Sequence, residues 1–523
     1  MCLSRIPAAL SLFLFLSACA GTDAPSTDAA RACAGLVGRD VDVSVTAAAA
    51  IRPAPAWEPA MESNYQPLAV TMPLCRVEAM IEGNIGLEVW LPAQDRWNGR
   101  LLAAGVGGPA GVFNYTDMSR RVNEGFATFS TDSGHKASNT RWMADDKALA
   151  DYTHRATHLA TVASKRIAER YYGRQPDHSY FLGCSGGGRQ ALKEMQNYPQ
   201  DFDGIVSGAP GPNMPLQSVR MMWFSLAQQQ NPEARLDDGD WDLYEHAVTA
   251  TCDADDGVED GVIENPLACR FDSSVLACTE ARQEACLGSA QLEMLESIVA
   301  PMVDEHGEPM DWGLVPGVRT RPGPPSPLLR ALWADGVYDD PDWDENSFRR
   351  TRDLELVYEH MPEMRADRTA ISPFIQRGGK AIIYQGWADP STVAGPTIAW
   401  YRALAGANGG YRALSESVRL FMVPGMHHCR GGPGADQFGG SGHAAWPGDA
   451  DRDILWAVIR WVEEGIAPSR LVASKLQEGA ERFTHALCPF PAVATIISGM
   501  SGGAADHYAC RVDPLLAGGR EGD

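Results

Sequence analysis

The sequence predicts an α/β protein, a mostly parallel sheet covered by helices on both faces and split by a large insert. Three observations predict it. A short β-prone run, Tyr180-Phe181-Leu182, enters a glycine-rich turn and then a helical stretch at 189–197. Strand-like runs alternate with helix-like ones around that unit, a pattern that places parallel strands inside and helices outside. The alternation stops near Pro212 and resumes at Lys380.

Taken in order, a Thr/Asp/Ala/Ser-rich leader gives way to strand-like alternation that begins near Val41 and recurs at 85–91, 100–104 and 126–130. Residues 156–172 carry apolar side chains at helical spacing and stop at Gly173, a residue free to take the left-handed conformation that ends helices. The stretch 213–373 holds Met- and Trp-containing helical pieces, a run of acids, four cysteines and the Pro-rich 319–327. Strand candidates return at 380–384 and 418–422, each leading into a polar turn. The organisation expected is a leader at 1–19, a main domain in two parts, 33–212 and 374–523, and an inserted domain at 213–373, long enough for its own core.

With 523 residues and 45% hydrophobic content the chain buries a large core. Its 44 basic and 67 acidic residues leave a net charge of -23, which repels nucleic acid and anionic lipid. Arg5, the apolar run 6–16 and Leu16-Ser17-Ala18-Cys19 read as a signal peptide, the run being too short to span a bilayer. The tetrapeptide resembles a bacterial lipobox, with Cys19 as the lipidated first residue of the mature chain; the alternative is ordinary cleavage after Ala20. Both place the protein outside the cytoplasm, either in the cell envelope as a lipoprotein of the outer membrane or periplasm, or secreted. Without Cys2 and Cys19, ten cysteines remain, and an even set in an oxidising compartment reads as a disulfide framework.

The chemistry centres on Gly183-Cys184-Ser185-Gly186-Gly187, a Gly-x-Ser-x-Gly turn between strand and helix that lifts the Ser185 hydroxyl clear of the sheet. That hydroxyl attacks a carbonyl only if a base takes its proton and a third group orients the base. In the α/β-hydrolase order of serine, acid, histidine, Asp389 and His428 each follow a strand candidate. Asp132 and His135 also follow one but precede the serine, and read as a turn shaping the sheet edge. Cys184 precedes the nucleophile and Cys429 follows the base, so a disulfide between them would hold Ser185 beside His428, and selects His428 over His427. Gly105-Val106-Gly107-Gly108 follows another strand candidate; a backbone N–H there, Gly107 before Gly108, would join that of Gly186 as an oxyanion hole. The fold class expected is therefore an α/β-hydrolase fold with a large inserted domain.

These residues resemble the tannase and feruloyl esterase family, which also includes bacterial hydrolases of mono(hydroxyethyl) terephthalate. The likeness rests on residues 183–190, on Gly386-Trp387-Ala388-Asp389 and on residues 424–434, with Trp97-Asn98-Gly99 and residues 131–135 in support. It implies a lid over Ser185 and the pairings Cys33–Cys75, Cys252–Cys269, Cys278–Cys286 and Cys488–Cys510. It also implies a structural Ca²⁺ in the lid, held by Asp253, Asp256, Asp260 and the carbonyls of Val258 and Val262; carboxylates crowded around glycines are the hard donors that ion needs. No organic cofactor is expected.

The function expected is an exported serine carboxylesterase that hydrolyses esters of aromatic acids, hydroxycinnamic, gallic or similar, through an acyl-enzyme. Trp223, Trp312, Trp333 and Trp343 of the insert are candidates to stack on the acyl group. The alternatives are aliphatic or terephthalate-type esters, or a surface binding protein without turnover. The expected partner is a small aromatic ester, with membrane contact only through an N-terminal lipid anchor, and the expected state a monomer.

Overall fold

A computed structural model describes residues 27–59, 65–320 and 323–518. The leader and Cys19 lie outside the described residues. Among the described residues ten strands make one sheet in the order β1-β2-β3-β4-β6-β5-β7-β8-β9-β10. Its first side is an antiparallel run of β1 (Gly38–Asp40), β2 (Val43–Ile51), β3 (Leu74–Ile81) and β4 (Ile85–Pro92), with β4 antiparallel to β6 (Ala127–Thr131). From β6 onward all neighbours are parallel: β5 (Arg100–Ala104), β7 (His178–Cys184), β8 (Gly204–Gly208), β9 (Lys380–Gly386) and β10 (Val418–Val423).

The parallel strands are buried on both faces, which is why they read as unbroken apolar runs. Leu101, Ala103, Phe181, Ile205, Ile383 and Leu420 face one core; Leu102, Tyr180, Leu182, Val206, Ile382 and Phe421 face the other. The helix Ala156–Tyr172 covers the first, ending at Gly173 with φ 73°, and the amphipathic helix Ile454–Glu464 covers the second with Ile454, Leu455, Val458 and Ile459.

Between β8 and β9 the described residues add no strand to this sheet. The segment 213–373 is mostly helical and irregular, and its apolar residues do not close on themselves. Met222, Leu329, Leu332, Trp333 and Met361 share a core with Val106, Trp142 and Tyr152 of the first half of the chain. After the sheet, two hairpins follow, β11 (Leu471–Gln477) with β12 (Ala480–Leu487) and β13 (Ala492–Ile496) with β14 (Tyr508–Val512). Among the described residues no helix is long and apolar enough to cross a membrane.

Candidate active site

Ser185 sits one residue past β7 and directly before the helix Gly186–Asn197. Its backbone takes φ 61° and ψ -124°, a region that costs on the order of 1–3 kcal/mol for a residue with a Cβ. The surroundings enforce it. Ser185 N donates to the Gly208 carbonyl at 3.0 Å, and Gly188 packs so closely that a Cβ there would meet that same oxygen at 2.1 Å.

Asp389 lies three residues past β9 and His428 five past β10, so all three residues gather at the carboxyl edge of the parallel strands. His428 Nε2 is 2.9 Å from Ser185 Oγ, and His428 Nδ1 is 2.8 Å from Asp389 Oδ2. Asp389 is fully buried; its other oxygen accepts N–H bonds from Ser391 and Thr392, both 2.8 Å. With Asp389 accepting at Nδ1, the imidazole carries its proton there and offers a lone pair at Nε2 to the serine hydroxyl. His427 does not reach the serine, and burial lowers its pKa.

Cys184 and Cys429 are bonded, with Cα atoms 6.0 Å apart across 245 residues of chain. Cys429 takes φ 64°, and its carbonyl accepts a 2.6 Å bond from Nε2 of the buried His443. Burial pushes His443 down to about 4, so it stays neutral and keeps that donor. The other four pairings implied by the resemblance are also the disulfides of the structure: Cys33–Cys75, Cys252–Cys269, Cys278–Cys286 and Cys488–Cys510.

Gly107 and Gly186 face each other: a Cβ on Gly186 would lie 3.1 Å from Gly107 Cα. The loop holding Gly107 is braced on all sides. Val106 N donates to Gln190 Oε1 at 3.0 Å, Asn114 Nδ2 to the Gly105 carbonyl at 2.7 Å, and Tyr152 Oη to the Gly108 carbonyl at 2.9 Å. His135 Nε2 reaches the Pro109 carbonyl at 2.8 Å while its ring stacks on Trp142. Residues 131–135 thus form a turn after an interior strand, β6, and support this loop rather than border the sheet. The Gly107 N–H is engaged, donating to Tyr65 Oη at 2.6 Å; burial pushes this phenol up to about 12, so it stays protonated. Tyr65 lies before Gly105-Val106-Gly107-Gly108 in a stretch without periodicity, and nothing in the sequence singled it out.

Two cavities meet at Ser185, His428 and Gly108. One, of about 190 Å³, is lined by Tyr152, Met214, Met221, Leu328, Leu329 and Leu332. The other, of about 780 Å³, is lined by Tyr65, Gly107, Val112, Cys429, Arg430 and Ser441 among others. The tryptophans expected to stack on substrate line neither. Trp333 and Trp343 are core residues, while Trp223 and Trp312 lie under Arg350 and Arg402. The insert turns Met and Leu side chains, with Gln217, Ser218 and Ser326, toward Ser185, and its indoles pack against the rest of the chain.

Of the five calcium-ligand candidates, Asp256, Val258, Asp260 and Val262 line one small cavity with Glu264 and His485. Asp253 does not; its carboxylate accepts N–H bonds from Gly261 and Val262. Burial pushes the Asp256 carboxyl up to about 6 and raises Asp260 as well. Carboxylates crowded and desolvated around a void, with His485 already paired to Glu264 at 2.9 Å, fit a hard divalent cation.

Fold and site define an α/β hydrolase. The sequence profile described as tannase and feruloyl esterase matches residues 69–317 and 336–511. A probable feruloyl esterase B-2 from Aspergillus flavus is 34% identical over 424 residues, covering 78% of this chain and 81% of that protein. Feruloyl esterase C from Talaromyces stipitatus is 31% identical over 436 residues, covering 80% and 82%. The crystal structure of feruloyl esterase B from Aspergillus oryzae superposes with a TM-score of 0.86 at 25% identity, covering 92% of this chain and all of that one. The chain belongs to the tannase and feruloyl esterase family, and is a carboxylic ester hydrolase of that family.

Proposed function

We propose that this chain is an exported serine esterase that cleaves esters of aromatic acids through an acyl-enzyme. The observation that carries the reading is the hydrogen-bonded row Ser185–His428–Asp389 at the junction of two cavities. His428 Nε2 takes the hydroxyl proton as Ser185 Oγ adds to the ester carbonyl, and Asp389 stabilises the imidazolium. The N–H groups of Gly107 and Gly186 receive the oxyanion, which displaces the Tyr65 hydroxyl from Gly107. His428 then hands its proton to the leaving alcohol and later activates the water that releases the acid.

The smaller cavity, walled by Leu and Met with the ring of Tyr152, suits a flat apolar acyl group, and the larger, more polar one suits the alcohol. The relatives' names supply the aromatic acid. Arg430 in the larger cavity favours a second reading, an ester that carries a carboxylate, such as a terephthalate monoester. Five disulfides support export; a lipid on Cys19 and a monomeric state belong to the same proposal. Ca²⁺ held by Asp253, Asp256, Asp260 and the carbonyls of Val258 and Val262 would neutralise the acidic loop and pin the insert to the hairpins.

The test is kcat/KM on methyl ferulate, methyl gallate, a terephthalate monoester and an aliphatic ester, with purified protein and Ser185→Ala. The expected outcome is preference for the aromatic acids and a fall of about 10⁴-fold or more in the variant. Equal rates for the two proteins overturn the serine mechanism, and an aliphatic preference overturns the substrate class.

A further inference from the structure

At the far end of the helix that begins after Ser185, three metal-ligating side chains converge outside the site described above. His158 comes from the helix Ala156–Tyr172, Glu194 from the helix Gly186–Asn197, and Asp201 from the turn leading into β8. One ligand atom of each lies within 4.8 Å of the other two. His158 Nδ1 is 2.5 Å from Asp201 Oδ2. Glu194 is 1% exposed, and both of its carboxylate oxygens are buried without a hydrogen-bond donor.

A buried carboxylate beside a second one needs positive charge or a strong donor. Lys165 directs its ammonium to the Asp201 backbone carbonyl at 2.6 Å and forms no hydrogen bond to either carboxylate. Tyr198 stacks on His158 with ring centroids 3.9 Å apart, and Asp203 is occupied by Arg377. A proton shared between the two acids would satisfy one Glu194 oxygen and leave the other bare. A divalent ion bridging the three side chains takes charge from both acids and uses the His158 lone pair. The His158 side chain is 23% exposed, which gives a path from solvent.

We propose that His158, Glu194 and Asp201 bind one divalent transition-metal ion, Zn²⁺ or Mn²⁺ by the chemistry of the set. One imidazole with two carboxylates suits these ions better than Ca²⁺, which takes more ligands, all of them oxygen. The ion would join the two helices and the β8 turn about 13 Å along the helix axis from Ser185, as a clamp rather than a reacting centre.

The full chain, stripped with chelator and dialysed against Zn²⁺ or Co²⁺, tests this. The expected result is one more equivalent of bound Zn²⁺ in the wild type and in Asp256→Asn than in Glu194→Gln or His158→Ala. With Co²⁺, the wild type should show a visible d–d band and a contact-shifted imidazole N–H proton, and the Zn²⁺-loaded wild type should melt several degrees higher than the stripped one. Wild-type protein whose Zn²⁺ content equals that of Glu194→Gln, or that gives no imidazole-ligated Co²⁺ spectrum, overturns the site and leaves the pair to a shared proton. If the variants fail to fold, the wild-type Co²⁺ spectrum alone decides.

Discussion

Tyr65 holds the Gly107 N–H that the proposed oxyanion needs, and the 2.6 Å bond makes the phenol a competitor for that donor. In Tyr65→Phe the ring remains and the oxygen goes, so kcat on methyl ferulate should stay level or rise. A loss of about 10²-fold or more would mean that the hydroxyl itself stabilises the transition state. His443 makes a different prediction. Its folded pKa, about 4, lies below its usual value, so between pH 6.5 and 4 the unfolded chain binds more protons than the folded one. Its stabilising contribution is therefore complete above pH 6.5 and is lost as pH falls through that window, by on the order of 3 kcal/mol. His443→Gln keeps a donor for the Cys429 carbonyl and should flatten the fall in Tm between pH 6.5 and 4; an unchanged slope contradicts the assignment.

At the scale of elements, the parallel strands were legible because burial on both faces makes them continuous apolar runs. The candidates at 85–91, 100–104 and 126–130 became β4, β5 and β6, the last moved one residue on. Ser185, Asp389 and His428 were legible because each follows such a strand, and the two cysteines flank two of them. The start of the helix at Gly186 was not, because three glycines in its first turn read as loop, and the C-terminal hairpins were not, because half-exposed strands lack a strong apolar signal. Nor were the cavity-lining leucines, since helical spacing shows which residues are apolar and not which neighbour they meet. The Cys184–Cys429 bridge ties the β7 turn to the β10 turn, and an error of about 1 Å between the proposed nucleophile and base costs roughly 10²-fold. Cys184→Ala/Cys429→Ala should lose kcat on that scale while its circular dichroism at room temperature is kept; unchanged kcat would show that the bridge is incidental.

Over the whole molecule, the insert shares a core with the main sheet, where Phe224, Trp241 and Leu295 join Leu101, Phe181 and Ile383, and touches the C-terminal hairpins at the acidic loop, where Glu264 accepts from Ala494 N at 2.7 Å and His485 joins it. Chelation with EGTA should lower Tm by several degrees, and Asp256→Asn should show the lower Tm with or without chelator; an EGTA-insensitive Tm removes Ca²⁺ from the account. The central claim is narrower, that Ser185 carries the acyl group. Brief reaction with a fluorophosphonate or a p-nitrophenyl aromatic ester, followed by peptide mass mapping, tests it most directly. One covalent adduct on the peptide containing Ser185, abolished in His428→Ala, is the result predicted; an active enzyme with no adduct, or with its adduct on another residue, would contradict it.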